Sequence, residues 1–348
     1  MFRQKILIVD DEFINREILK EILQDEYCLI EASNGQEAID IYKAKEKELS
    51  LVLLDMMMPD KDGITVIKEL KRDLKELEVP IIFVTGNNDD ELETNSIKMG
   101  ATDYIRKPFK TEVIKARIAA QIALKQNINH LNAEIEKGIL ERTKITESII
   151  LALANMVEYR STESGEHVKR VQDITKLIVK QLKLSTHLLD EYSTTELTYM
   201  GYAAALHDIG KVRIKDSILL KPGCFTPEEY EEMKKHTIYG EEMAKKFYIG
   251  ENEEMLKLCS EVCRHHHEKW DGTGYPDRLK GANIPISSRI VCIADSFDAI
   301  VSKRVYKDER TLEDGFEIIK KDSGIYFDPQ IAEVFLTLNQ ELHGMYQK

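Results

Sequence analysis

The chain has 348 residues, 43% of them hydrophobic and 32% charged, which is typical of globular proteins and leaves room for two domains. Its formal net charge of −13 at pH 7 disfavours nonspecific binding to nucleic acid and to acidic membranes. No apolar run approaches the roughly 20 residues of a membrane-spanning helix, and the first run reaches Asp10 and Asp11 too early for a signal peptide. Because the five scattered cysteines favour reduced thiols, we expect a cytoplasmic protein without DNA or membrane partners.

Short apolar runs alternate with amphipathic stretches in the first part of the chain. Such unbroken runs are typical of strands buried on both faces of a parallel sheet, with helices between them. We therefore predict an α/β doubly wound domain over residues 1–123. The runs lie at residues 5–9, 51–54, 81–84 and, more weakly, 103–105.

Five polar residues follow the ends of these predicted strands: Asp10, Asp11, Asp55, Thr85 and Lys107. In an open parallel sheet, ligands gather beyond the carboxyl ends of the strands. Three carboxylates would repel one another there unless a cation lay among them, and Mg²⁺ is the natural choice. One of the carboxylates could then attack a phosphoryl donor as a nucleophile. Any single one of these residues could be a strand-end cap, but the full set favours phosphoryl chemistry.

This set closely resembles the response-regulator receiver domains, and the resemblance covers residues 1–123, with a flavodoxin-like fold. It implies that a cognate histidine kinase donates a phosphoryl group to Asp55. Thr85 and Lys107 would contact that group, and Tyr104 would be the aromatic switch. The residues that the resemblance assigns to Mg²⁺ binding are Asp10, Asp11, Asp55 and, through its backbone carbonyl, Met57.

A long helical segment follows, because residues 111–160 contain no proline, only one glycine and a helical apolar period. Gly138 and Arg142 would interrupt the apolar seam. We predict a long linker helix that pairs with a second copy of itself as a homodimer. A single helix that packs on its own domain is the alternative. The residues at a and d spacing are Leu124, Ile128, Leu131, Ile135, Ile145 and Ile149.

Helical periodicity dominates from residue 147 onward, so we predict that residues 147–348 form an all-α domain. His207 and Asp208 lie in an alanine-rich helical segment, with Lys211 on the same predicted helix face. Other imidazoles and carboxylates surround this pair in sequence, and without a thiolate such a mixture favours iron or manganese over structural zinc. An unpaired Asp295 would be costly in its apolar setting. These further candidates are Glu163, His167, His236, His266, His267 and Asp295.

The run HHEKWDGTGYP at residues 266–276 resembles the HD-GYP domains, a subgroup of the HD phosphohydrolases. The resemblance covers about residues 147–348 and implies hydrolysis of cyclic di-GMP to pGpG or GMP by two or three Fe or Mn ions. Asp208 would bridge two ions and, with Lys211, act in catalysis. Lys211, Arg304 and Lys307 would bind the substrate phosphates, although a solvated basic face is conceivable for the last two. The implied metal ligands are His207, Asp208, His236, His266, His267 and Asp295, with His167 and Glu163 at a third site.

Several residues invite other interpretations. Arg278 stands where the family usually has glycine, and His265 is expected outside the ligand set. Cys259 and Cys263 could suggest zinc, but they share one apolar helical stripe and are predicted to be core thiols. The histidines predicted to lie at the surface are His130, His187 and His343.

Three functional alternatives follow from the same residues. The second domain could bind metals and cyclic di-GMP and signal through partner contacts without turnover. The same chemistry could act on another cyclic dinucleotide. A DNA-binding regulator is disfavoured by the acidic charge and the lack of a basic recognition helix. In each enzymatic reading, phosphorylation of Asp55 is expected to change how the linker helix pairs.

Overall fold

The computed structural model describes residues 3–74, 77–86, 101–160, 165–247, 253–302 and 311–346. It divides into two compact units, Met1–Ile139 and Leu140–Lys348. Three of the predicted site residues, Glu163, Arg304 and Lys307, lie outside the described residues. Among the helices within those ranges, none combines the length and apolar character that crossing a membrane requires.

The first unit contains a five-stranded parallel sheet with the strand order β2-β1-β3-β4-β5. The doubly wound α/β fold is therefore confirmed, but the apolar runs revealed only four of the five strands. They missed β2 because it lies at the edge of the sheet and most of its residues are only partly buried, so it lacks an unbroken apolar run. The strands are β1 Lys5–Val9, β2 Cys28–Ala32, β3 Leu49–Asp55, β4 Ile81–Thr85 and β5 Asp103–Arg106.

Helices cover both faces of this sheet. Alternate residues of β3 point to opposite faces: Leu51 and Leu53 join one apolar cluster, and Val52 and Leu54 join the other. Asn34 and Asp62 each cap a following helix by accepting a backbone N–H. The described helices before the linker are α1 Phe13–Leu23, α2 Gly35–Lys45 and α3 Gly63–Asp73.

The predicted linker helix is one continuous α-helix, α4, of 48 residues from Thr111 to Glu158. Its first turns are buried through Ile114, Ile118 and Ile122 in the core of the first unit. Its last turns are buried through Ile150, Ala154 and Val157 in the core of the second unit. Between these segments the apolar residues of the predicted seam are exposed, from 43% at Ile128 to 61% at Ile145.

The second unit is built from helices, as predicted, and its buried apolar residues form one cluster. The described helices are α5 Gly165–Ser185, α6 Thr194–Ala205, α7 Asp216–Leu219, α8 Pro227–Lys234, α9 His236–Ala244, α10 Glu253–His265, α11 Ile286–Val301, α12 Leu312–Lys321, α13 Pro329–Leu336 and α14 Asn339–Tyr346, with 3₁₀ turns at Ile209–Arg213 and Gly281–Asn283.

One local prediction was wrong: His207 and Lys211 do not share a face of one α-helix. Helix α6 ends at Ala205, and Lys211 lies in the 3₁₀ turn Ile209–Arg213. This turn packs so closely on α9 that a Cβ atom at Gly210 would lie 1.9 Å from the carbonyl oxygen of His236. The tighter turn thus brings Asp208 against the first residue of α9.

The loop after α10 explains the expected glycine at position 278. Arg278 has a φ of 56°, in the left-handed region that glycine adopts without steric cost. This chain therefore carries arginine at a position whose backbone conformation favours glycine.

Candidate metal centre

Seven imidazole and carboxylate side chains converge in the second unit. All come from helix ends or the turns beside them, except Asp295, which lies within α11. Their ligand atoms form two groups, and within each group these atoms lie within 4.8 Å of one another. The first group is Asp208, His236, His266 and His267, and the second is His167, His207 and Asp295.

Asp208 lies between the two groups. Its Oδ1 is 3.3 Å from His236 Nε2 and 3.7 Å from His266 Nε2. Its other oxygen, Oδ2, is 3.2 Å from His207 Nε2 in the second group. The two oxygens therefore face different groups, as a carboxylate that bridges two cations would require.

Asp295 completes the second group from α11. Its Oδ1 is 3.5 Å from His167 Nε2 and 3.8 Å from His207 Nε2. The His167 and His207 rings stand nearly perpendicular, with centroids 5.9 Å apart. Three side chains from α5, α11 and the turn after α6 thus direct one atom each to a shared point.

Hydrogen bonds at Nδ1 orient four of the five imidazoles. Nδ1 of His207 is 2.7 Å from the Ala204 carbonyl, and Nδ1 of His236 is 2.7 Å from the Met233 carbonyl. Nδ1 of His266 lies 2.9 Å from the Val262 carbonyl. Nδ1 of His167 lies 2.7 Å from Asp298 Oδ2. Because these partners only accept, they hold the proton on Nδ1 and leave Nε2 as the ligand atom.

Burial and neighbouring charges shift the pKa values of two imidazoles of the cluster in opposite directions. Burial lowers the pKa of His236 to about 4, which keeps that imidazole neutral. Burial also disfavours the charged form of His207, but the adjacent Asp208 carboxylate raises its pKa to about 10. His207 Nε2 and Asp208 Oδ1 are buried and lack a hydrogen-bond partner of suitable geometry. Buried polar atoms are costly when unsatisfied, and a divalent cation would satisfy both, so the donor set fits metal ions.

A separate cluster of three aspartates lies at the carboxyl edge of the sheet in the first unit. Oxygen atoms of Asp10, Asp11 and Asp55 lie within 4.8 Å of one another. Lys107 Nζ is 2.9 Å from both Asp10 and Asp55. Burial raises the pKa of Asp55, although the Lys107 hydrogen bond opposes this. An oxygen-rich, acidic site with one lysine fits a hard cation such as Mg²⁺.

The other predicted residues of this edge lie close by in the fold. Thr85 is buried at the end of β4. The Tyr104 ring, in β5, contacts the guanidinium groups of Arg106 and Arg117 at 5.9 and 5.2 Å from its centroid. The side chain of Met57 is 70% exposed, and its backbone N–H donates to Asp55 Oδ1.

Comparison with known families places both units. Residues 151–331 match the family model described as the HD domain. The chain belongs to the HD-domain family. Residues 6–119 match the response regulator receiver domain, so a receiver domain precedes the HD domain, as the two resemblances predicted.

Three curated relatives are similar to this chain over different shares of its length. A "Probable cyclic di-GMP phosphodiesterase" from Vibrio cholerae serotype O1 is 36% identical over 99% of this chain and 79% of its own length. A "Cyclic di-GMP phosphodiesterase" from Thermotoga maritima is 35% identical over 99% of this chain and 92% of its own length. A "3'3'-cGAMP-specific phosphodiesterase 2" from Vibrio cholerae serotype O1 is 40% identical over 57% of this chain and 36% of its own length.

Lys211 lies beside the Asp208 carboxylate in the HD domain. Its Nζ is 2.7 Å from Asp208 Oδ2 and 3.3 Å from Oε1 of Glu158, the last residue of α4. Glu158 is only 2% exposed. Sequence reasoning missed Glu158, because the end of a long polar helix carries no signal that its carboxylate is buried.

Residues expected to lie outside the ligand set of the HD domain are also placed. His265 Nδ1 lies 3.6 Å from Asp277 Oδ2 and 4.0 Å from Glu268 Oε1, in a separate group. The Glu268 oxygens accept backbone N–H groups of the following loop. Cys259 and Cys263 are fully buried core thiols, as predicted.

Proposed function

We propose that this protein is a response regulator whose phosphorylation controls the hydrolysis of cyclic di-GMP to pGpG, GMP or both. The observation that carries the proposal is the convergence of seven imidazole and carboxylate side chains, with Asp208 between their two groups. The substrate is supported by the two relatives named as cyclic di-GMP phosphodiesterases, whose alignments cover 99% of the chain. In this proposal the receiver domain, residues 1–123, accepts the phosphoryl group. The helix at residues 111–160 connects it to the HD domain, residues 147–348, which hydrolyses the substrate in the cytoplasm.

The proposed cofactors are two Fe or Mn ions, with a third where Glu163 joins His167. Imidazole and carboxylate donors without thiolate support such ions over structural zinc. When bound, these cations supply Lewis-acid chemistry, because they polarise the phosphodiester and lower the pKa of water.

The chain's own residues would hold and orient the reacting groups. Asp208 would contribute one carboxylate oxygen to each ligand group and so fix the distance between the two groups. Lys211, 2.7 Å from Asp208, would stabilise the charge that develops on the departing 3′ oxygen. Arg304 and Lys307 are proposed to bind the substrate phosphates, where a hydrogen bond to a charged group contributes about 1.5–3 kcal/mol.

The receiver domain would supply the control. Asp55 would accept a phosphoryl group from a cognate histidine kinase, with Mg²⁺ held by Asp10, Asp11 and the Met57 carbonyl. Thr85, Tyr104 and Lys107 would respond to that group. A homodimer is proposed through α4, because its apolar seam residues between the two units are exposed.

The test is an anaerobic preparation analysed for metal content and for products formed from cyclic di-GMP. We expect at least two Fe or Mn ions per chain and the release of pGpG or GMP. Asp208→Ala should abolish turnover, whereas Asp190→Ala, which removes a surface carboxylate, should leave it unchanged. A metal-loaded, folded wild-type protein that binds cyclic di-GMP without hydrolysing it would instead support a binding module.

A second candidate substrate is 3'3'-cGAMP. It is favoured by the 40% identity to a relative named for that substrate, over 198 residues. Parallel measurement of kcat/KM with both dinucleotides decides between them. We expect the higher value with cyclic di-GMP, and the reverse order would assign the protein to the mixed dinucleotide.

A further inference from the structure

Asp298 is a buried carboxylate that contacts His167, a member of the second ligand group. It lies in α11, one turn after Asp295, and is 0% exposed. Its Oδ2 is 2.7 Å from His167 Nδ1, on the side of the ring opposite the ligand atom Nε2. The sequence separation of 131 residues explains why the motifs gave no sign of this pair.

The acceptor of His167 differs from those of the other oriented imidazoles. His207, His236 and His266 direct Nδ1 to neutral backbone carbonyls, whereas His167 directs it to a carboxylate. A carboxylate behind a ligating imidazole fixes its tautomer and ring orientation and increases its basicity as a ligand. Among the four oriented imidazoles, His167 is therefore the one whose orientation is fixed by a charged acceptor.

Two further side chains hold Asp298 in place. Arg170, three residues after His167 in α5, donates from Nε at 2.5 Å and from Nη2 at 3.2 Å. Tyr346, in the C-terminal helix α14, donates from its hydroxyl group at 2.5 Å. Arg170 also bonds Ser302 at 2.9 Å. Burial disfavours the charge on Asp298, but the His167 and Arg170 hydrogen bonds lower its pKa to about 2.

We propose that Asp298 is a positioning residue that holds His167 in the orientation needed to bind the cation of the second group, and that Arg170 and Tyr346 hold Asp298. The inference rests on the proposed function only in taking the two groups as metal sites. The proposal adds the C-terminal helix to that site, because Tyr346 and His167 both hydrogen-bond to the Asp298 carboxylate.

The test is the metal content of Asp298→Asn, read by elemental analysis after dialysis against a chelator that wild-type protein withstands. Loss of such an outer partner typically weakens metal binding about 10- to 100-fold. We expect about one ion fewer per chain, because the first group has no contact with Asp298. The matched control is Asp190→Asn, which removes a carboxylate charge 2.8 Å from Nδ1 of the exposed His187, and it should keep the wild-type metal content.

Two more variants separate positioning from folding. Because Asp298→Asn leaves the Arg170 charge without this partner, Asp298→Asn with Arg170→Met removes both charges, and it should lose the same ion. Tyr346→Phe keeps Asp298 and should weaken binding of that ion by a smaller factor. Full wild-type metal content and chelator resistance in a folded Asp298 variant would overturn the proposal. Unchanged metal affinity in Tyr346→Phe would overturn the part assigned to the C-terminal helix.

Failure of the proposed function gives a different result. Wild-type protein that holds its ions but hydrolyses no cyclic dinucleotide would refute the reaction, and loss of one ion in Asp298→Asn would still support the positioning role.

Discussion

Gly274 occupies a position in the HD domain where the backbone leaves no space for a side chain. A Cβ atom there would lie 2.4 Å from the Lys269 nitrogen and 2.6 Å from the His267 carbonyl oxygen. Backbone atoms cannot yield as the end of a flexible side chain can, so the whole loop would have to move. The glycine thus fixes the path of the chain directly after two proposed ligands.

We expect Gly274→Ala to displace His267 and to destabilise the protein by about 1–3 kcal/mol, the usual cost of overpacking. Metal content of the first group and turnover should both fall. The control is Gly344→Ala in α14, where a Cβ would meet nothing within 4 Å. Wild-type thermal stability and metal content in Gly274→Ala would contradict this expectation.

At the scale of single residues, the sequence predicted seven side chains whose ligand atoms the structure brings together in two groups. Asp208, His266 and His267 were predicted as ligands from the resemblance to the HD-GYP domains, which rests on short sequence motifs. Asp298 and Glu158 were missed, because each contacts a partner far away in sequence. Their positions in periodic helical segments are compatible with ordinary surface carboxylates, and only tertiary packing reveals the burial.

Among the elements, α4 is the one that contributes to the cores of both units and ends beside Lys211. Its last residue, Glu158, shares Lys211 with Asp208. A neutral amide at position 158 would lose the charged half of this contact, and hydrogen bonds to charged groups contribute about 1.5–3 kcal/mol. We expect Glu158→Gln to lower kcat by about 10-fold or more while metal content stays unchanged.

A matched control for that variant lies on the same helix. Glu147 pairs with Lys176 and Lys169, away from the ligand groups, so Glu147→Gln should retain wild-type kcat. Equal kcat in both variants and wild type would mean that Glu158 has no part in placing Lys211.

Helices and strands were predicted correctly where their apolar residues follow one regular pattern along the sequence. Buried strands and the 48-residue helix have regular patterns that follow from local geometry. The edge strand β2 and the early end of α6 were not predicted, for different reasons. An edge strand lacks a fully buried pattern, and the end of α6 is set by the close approach of Gly210 to the backbone of α9, which is a tertiary contact.

For the whole molecule, the exposed seam of α4 predicts self-association. Leu131 is 59% exposed and occupies a core position of the predicted coiled coil, where a charge would be buried against the second copy at high cost. We expect wild-type protein to be a dimer by light scattering and Leu131→Glu to be a monomer at the same concentration. Ala133→Glu adds the same charge outside the seam and should remain dimeric. A monomeric wild type, or a dimeric Leu131→Glu, would contradict the coiled-coil prediction.

The unbroken course of α4 also restricts how its length can change. Each residue inserted into an α-helix advances the following residues by about 1.5 Å and turns them by about 100° around the axis. One insertion near Gly138 would therefore rotate Glu158 out of phase with the preceding seam, whereas seven restore the phase to within about 20°. Proteins in which the first domain is exchanged, by nature or by engineering, should for this reason differ in the length of α4 by multiples of seven residues. The amino acids in α4 should be freer to vary than its length.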